Sequence, residues 1–141
     1  MLSDGSKGFH RGDIYYCEFA DIGGSVQSGL RPALIIQNDI GNQFSPTVIV
    51  SPITSIVKKM DLPTHVYLGK AFGLDEESMV MLEQIHTVDK QVHLKEYIGE
   101  ITDDAILRKI DKAIKVSMGL TAFQWQSRCE RLRNERRNND E

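Results

Sequence analysis

The sequence predicts a small, mainly β fold with one C-terminal helix, and three observations lead to that prediction. Short runs of β-branched and aromatic residues recur before Thr102, separated by segments rich in Gly, Ser, Asn and Pro. A helical spacing of apolar residues begins only after Thr102. The length of 141 residues and the hydrophobic content of 40% are those of one domain with a single core. We therefore expect a small β-barrel or sandwich.

The expected strands are short and are separated by turn-forming residues. They cover residues 13–20, 31–38, 47–54, 65–68, 78–82 and 95–101. Pro52 lacks an N–H, which predicts an edge or a bulge at the end of its strand. Residues 21–30 contain three glycines and two serines and predict a loop, and residues 38–46 predict a second connection.

The helix is expected to begin at Thr102, which is predicted to be its N-cap. Apolar or small residues then recur with helical period on one face, which should close the barrel: Ile106, Ile110, Ala113, Ile114 and Ser117. Residues 1–10 predict a flexible N-terminal arm. Residues 120–141 contain five arginines and predict an Arg-rich extension beyond a domain of residues 11–119.

Composition excludes several classes of function. The formal net charge of -3 gives no overall positive field, so nucleic-acid binding would require local positive charge. Cys17 and Cys129 form no CxxC pair and predict reduced thiols. The N-terminal residues contain no apolar run of the kind that forms a secretory signal, and no apolar segment is long enough to span a membrane. We therefore expect a cytoplasmic protein. The four histidines have no zinc-site spacing, and neither a metal nor another cofactor is predicted.

Two polar residues stand out because each lies at the end of an apolar strand. Arg31 joins the glycine-rich loop to a strand, and Pro32 favours an extended backbone there. Its guanidinium can bind phosphate and stabilise charge on a phosphoryl transition state, although a solvated or salt-bridged arginine is an equally simple interpretation. Thr54 ends the next strand. Its hydroxyl can donate a hydrogen bond to phosphate, or the residue can be there only because threonine favours β-strands.

Ordered sequence blocks resemble the MazF/PemK toxins. These are RGDIY at residues 11–15, GLRPALIIQND at 29–39, GNQFSPT at 41–47, LPTHV at 62–66 and SMVMLEQI at 78–85. The resemblance implies an SH3-like β-barrel that forms a homodimer and is the toxin of a type II toxin–antitoxin system. It also implies metal-independent, sequence-specific cleavage of single-stranded RNA, leaving a 2′,3′-cyclic phosphate and a 5′-hydroxyl.

The resemblance also assigns roles to individual residues. The family's catalytic arginine and threonine correspond to Arg31 and Thr54. The expected RNA-binding residues are Ser25, Gln27, Phe44, Gln84 and His86. The implied partners are single-stranded RNA and a cognate MazE-like antitoxin with an acidic, disordered segment.

Two positions depart from the closest members of the resembled family. Val26 replaces a frequent glutamate, and His86 replaces a frequent arginine with a titratable group. We expect an altered RNA motif, and RNA binding that weakens as pH rises through the pKa of His86. Two alternatives remain at this point: a CcdB-like toxin directed at gyrase, and a catalytically weak relative that still binds an antitoxin.

Overall fold

The computed structural model describes residues 8–121 and residue 133. The strands are β1 (Asp13–Phe19), β2 (Gly29–Ile35), β3 (Thr47–Thr54), β4 (His65–Gly69), β5 (Ser78–Met81), β6 (His86–Asp89) and β7 (Leu94–Glu100), and the helices are α1 (Asp39–Phe44) and α2 (Asp104–Ser117). The mainly β fold with a C-terminal helix is thus confirmed. Most of the predicted arm and extension, and Cys129, lie outside the described residues. Within the described part of the chain, no helix is long and apolar enough to cross a membrane.

The strands form an antiparallel sheet in the order β4-β5-β3-β2-β1-β7, and β6 also pairs with β3. Strand β3 is central, so the prediction that Pro52 marks an edge or a bulge is wrong. Pro52 is buried opposite Ala33 of β2. On its other side, Thr47–Val50 pairs with β6 and Ile53–Thr54 pairs with β5. Pro52 lies between these two stretches, where no neighbouring strand requires the N–H that proline lacks.

The residues predicted as a connection at 38–46 contain α1. The helix has six residues, which is too short for a periodic pattern to reveal. Its N-cap is Asn38, whose side-chain oxygen accepts a hydrogen bond from the Gly41 N–H at 2.8 Å. This turn also ends β2 at Ile35, earlier than predicted. Strand β6, which was not predicted, has four residues and is defined by its pairing with β3.

Helix α2 begins one residue later than predicted, because its N-cap is Asp103 and not Thr102. One carboxylate oxygen of Asp103 accepts from the N–H groups of Ala105 and Ile106, at 2.9 and 3.3 Å. A carboxylate satisfies these free donors and also favours the positive end of the helix dipole. The predicted apolar face of α2 is confirmed, because four of its residues pack in the core against the sheet: Ile106, Ile110, Ala113 and Ile114.

The buried side chains form two clusters that follow the alternation of the strands. The first contains Ile14, Leu34 and Ile53 and is covered by α2. The second contains Ala33 and Val50, together with Cys17, Phe19, Ile35, Val48, Val88 and Leu94. Because successive residues of a strand point to opposite faces, the two clusters lie on opposite faces of β1, β2 and β3.

Candidate active site

Arg31 and Thr54 lie at the same end of the sheet and on the same face. Strands β2 and β3 are antiparallel, with Ala33 opposite Pro52. The pairing of β2 with β3 ends at these two residues, and Arg31 and Thr54 each lie two residues beyond it on their strands. Arg31 is two residues from Ala33 and Thr54 is four residues from Val50, so their side chains point to the same face of the sheet as these two members of the second cluster. The antiparallel pairing therefore brings the start of β2 and the end of β3, which carry the two predicted catalytic residues, to one end of the sheet.

The Arg31 guanidinium is half-buried and is held by the preceding loop. Its Nε donates a hydrogen bond to the carbonyl oxygen of Ser28 at 2.6 Å. Arginine carries five N–H donors, so this bond leaves the terminal amino groups available for an oxyanion. One N–H group thus sets the orientation while the others can bind phosphate in a bidentate manner.

Thr54 is only 4% exposed, so its hydroxyl lies beneath the surface at the rim. The Thr54 Oγ1 accepts a hydrogen bond from the Ile56 N–H at 3.1 Å. A hydroxyl that accepts one bond can still donate its own proton. Thr54 can therefore support the turn that follows β3 and donate to a group that reaches the rim.

A cavity of about 440 Å³ borders Arg31 from the opposite face of the sheet. Its walls include Tyr16, Pro32 and Ile53, which alternate along their strands with Arg31 and Thr54. Thr54 is not part of its lining.

Asp75 and Glu76 also line this cavity. Two carboxylates near one another disfavour the binding of phosphate, because like charges repel. We therefore assign the candidate active site to the face that Arg31 and Thr54 share, and not to this cavity.

Three of the expected RNA-binding residues form one hydrogen-bonded group beside this face. Oε1 of Gln84 accepts from the Gln27 N–H at 3.0 Å, and Nε2 of Gln84 donates to the carbonyl of Ser25 at 3.3 Å. Gln84 therefore connects the turn after β5 to the loop between β1 and β2. The side-chain Oε1 of Gln27 is buried and has no hydrogen-bond partner among the described residues.

His86 is half-buried in β6, opposite Val50 of β3. Its ring packs edge-on against Phe19, with ring centroids 4.9 Å apart and an interplanar angle of 62°. The His86 Nε2 is buried without a hydrogen-bond partner among the described residues. Desolvation lowers the pKa of His86 below its usual 6.5, so the ring is neutral at pH 7.

Phe44 lies beyond the opposite end of β3 from Thr54. It ends α1, just before the start of β3, whereas Thr54 ends β3. The eight residues of β3 span roughly 23 Å at about 3.3 Å per residue. The Phe44 side chain is 76% exposed, which excludes a core role within this chain. A single chain therefore does not bring Phe44 to Arg31.

Two contributors to the site were not predicted from the sequence. Ser28 acts through its backbone carbonyl, which every residue type has, so the sequence contains no signal for this role. Phe19 contacts His86 only because β1 and β6 converge in the second cluster. Cys17 is a free, buried thiol whose pKa is raised to about 12 by desolvation, so it is not a nucleophile near neutral pH. Within the described residues, no group of three or more His, Cys, Asp or Glu is placed to hold a metal ion.

The sequence matches a known toxin family over most of its length. Residues 10–118 match the profile described as "PemK-like, MazF-like toxin of type II toxin-antitoxin system". The chain is 46% identical to "Endoribonuclease EndoA" of Bacillus subtilis (strain 168) over 114 residues, which are 80% of this chain and 97% of the relative. The chain belongs to the PemK/MazF toxin family, as its ordered sequence blocks predicted.

Solved structures of this family share the fold. An endoribonuclease from a mycobacterial species in complex with its cognate antitoxin is 30% identical, with a TM-score of 0.65 over 80% of this chain and 97% of that chain. MazF of Deinococcus radiodurans (Form-I) is 21% identical, with a TM-score of 0.69 over 79% of this chain and 97% of that chain. The expected MazF-like fold is confirmed.

Proposed function

We propose that this chain is the toxin of a type II toxin–antitoxin pair and cleaves single-stranded RNA at short sequence motifs without a metal ion. One observation carries the proposal: the chain is 46% identical to an endoribonuclease over most of its length. The antiparallel pairing of β2 with β3 supports it, because the two residues that the family resemblance assigns to catalysis, Arg31 and Thr54, then lie at one end of the sheet. Membership of the PemK/MazF family is the reason to prefer this function to a gyrase-directed one.

The reaction needs little covalent chemistry from the protein, because RNA supplies its own nucleophile. The 2′-oxygen attacks the adjacent phosphorus, the bond from phosphorus to the 5′-oxygen breaks, and a 2′,3′-cyclic phosphate forms. The 2′-hydroxyl loses its proton and the departing 5′-oxygen gains one. In this proposal the Arg31 terminal amino groups stabilise the added phosphoryl charge, and the Thr54 hydroxyl donates to a non-bridging oxygen.

The loop between β1 and β2 would contact the bases next to the cleaved bond. Ser25 is exposed and can reach a base, whereas the buried Oε1 of Gln27 would accept from an amino group on a base edge only after the loop opens. His86 presents a neutral ring beside Phe19 and would act by contact and stacking. Its pH-dependent contribution to RNA binding, expected from the sequence, would then occur below pH 6.5.

Phe44 and the partners of this chain belong to the same proposal. A structural relative is described in complex with its cognate antitoxin, which supports a MazE-like antitoxin here. An acidic antitoxin segment would compete with RNA phosphate for Arg31. The toxin would act in the cytoplasm as a homodimer, and exposed Phe44 would stack a base only if the second subunit brings it near the RNA.

The decisive experiment incubates the purified chain with a long RNA in EDTA and maps the new 5′ ends. We expect discrete cuts at a shared short motif, 5′-hydroxyl ends, and loss of cleavage in Arg31→Ala. RNA that stays intact would contradict the nuclease. In that case, inhibition of gyrase supercoiling would indicate the CcdB-like function, and antitoxin binding alone would indicate the catalytically weak relative.

A further inference from the structure

The turn between β5 and β6 contacts the loop between β1 and β2 and the start of β4. Gln84 in this turn binds the backbone of the first loop at Ser25 and Gln27. Its neighbour Glu83 lies 2.8 Å from Nε2 of His65, at the start of β4. The turn is therefore the common anchor of segments that lie far apart along the chain.

Gln84 is connected to the Arg31 guanidinium through two sets of hydrogen bonds. Gln84 holds the backbone on both sides of residue 26, and Ser28 follows one residue after the second bond. The Ser28 carbonyl then accepts from the Arg31 Nε at 2.6 Å. Only the φ and ψ angles of Gln27 and Ser28 separate the held N–H from the Ser28 carbonyl, so fixing the Gln27 backbone limits where that carbonyl can point. The Arg31 orientation thus depends on the loop that Gln84 holds.

Both ends of the Gln84 carboxamide are already used within the protein. Its oxygen accepts from the Gln27 N–H and its nitrogen donates to the Ser25 carbonyl. A carboxamide that reads a base normally needs both of these groups for paired hydrogen bonds. Each end keeps one further hydrogen-bonding position, but a paired contact with a base through the edge that binds the loop would compete with these two bonds.

We propose that Gln84 is a positioning residue that clamps the loop of residues 25–28 and thereby orients the Arg31 guanidinium for catalysis, without reading a base itself. This inference rests on the proposed nuclease function. It changes the role expected for Gln84 from RNA contact to preorganisation of the catalytic arginine. Preorganised groups contribute to the rate because they need no rearrangement as the transition state forms.

The test compares Gln84→Met, which keeps similar volume but removes both hydrogen bonds, with Gln91→Met, the same change at an exposed site. Amide hydrogen exchange of residues 21–28 is measured without RNA. Single-turnover cleavage is measured at saturating RNA, and affinity is measured with an RNA that carries a 2′-deoxy sugar at the cleavage site. Far-ultraviolet circular dichroism confirms that each variant folds.

For Gln84→Met we expect loop amides that exchange at least about fivefold faster and cleavage that falls about tenfold or more. RNA affinity should stay within about twofold, and Gln91→Met should match the parent in all three measurements. Weakened RNA affinity with unchanged loop exchange would overturn the proposal in favour of direct base contact. If the parent cleaves no RNA, the proposed function fails, whereas the exchange measurement still decides whether Gln84 clamps the loop.

Discussion

The Nε of Arg31 donates to the carbonyl oxygen of Ser28 at 2.6 Å, so the backbone of the loop orients the guanidinium. Ser28 and Arg31 are three residues apart and lie on either side of the point where β2 begins. The loop that would meet RNA bases and the group that would stabilise phosphoryl charge are therefore mechanically connected. A change in loop conformation should appear as a change in rate.

Replacing Arg31 tests the catalytic assignment. Arg31→Ala should lower single-turnover RNA cleavage about a hundredfold to a thousandfold, the usual effect of removing one preorganised donor. Arg31→Lys should also be impaired, because one ammonium cannot bind Ser28 and offer a bidentate fork to phosphate. The matched control is Arg108→Ala, on the exposed side of α2. Cleavage by Arg31→Ala at a rate near the parent's would refute the assignment.

Thr54 should affect both stability and cleavage. Thr54→Val removes the acceptor of a part-buried hydrogen bond from the Ile56 N–H, so the free energy of unfolding should fall by about 0.5–1.5 kcal/mol. Thr54→Ser keeps the hydroxyl and should retain most of the stability and the cleavage. Urea unfolding and single-turnover rates measure the two effects. Equal stability and equal rates for both variants would show that the hydroxyl has neither role.

His86 should make stability depend on pH on the acidic side of neutrality. Burial lowers the pKa of His86 in the folded state below the 6.5 of the unfolded chain. Its contribution to stability is therefore complete above pH 6.5 and is lost as pH falls through 6.5 toward the folded-state pKa.

Urea unfolding of the parent and of His86→Gln measures this contribution, because subtracting the two removes the titration of the other histidines. The stability of the parent relative to His86→Gln should be lower at about pH 5 than at about pH 7.5. A difference that is independent of pH, or that favours the parent more in acid, would show that the folded-state pKa is not lowered.

Gly99 should tolerate no side chain. A Cβ at Gly99 would lie 2.0 Å from the carbonyl oxygen of Phe72, where rigid backbone cannot move aside. Gly99→Ala should therefore lower the free energy of unfolding by about 3 kcal/mol or more. The control is Gly41→Ala, where the nearest atoms are 3.0 Å away and belong to the Gln37 side chain and not to the backbone. Similar small losses for both variants in urea unfolding would contradict the close approach of β7 to residue 72.

The sequence alone predicted the features that depend on neighbouring residues. Alternating and helical patterns predicted the β-rich fold and the face of α2, because each pattern is set within one segment. Ordered motifs identified Arg31 and Thr54, which as single residues were indistinguishable from ordinary strand-end residues. Short elements such as α1 and β6 were missed, since four to six residues contain too few repeats of any period.

Only the tertiary structure decided the features that depend on residues distant along the chain. Gln84 binds the loop across 57 and 59 residues of sequence, a relationship that no local pattern contains. The central strand β3 tolerates Pro52 because it changes partners from β6 to β5 there, and the pKa of His86 falls because folding removes water around its ring. The sequence therefore predicted Arg31 and Thr54 as the centre of the candidate site, whereas strand pairing and desolvation, which exist only in the folded chain, decided which residues surround them and whether the His86 ring is charged.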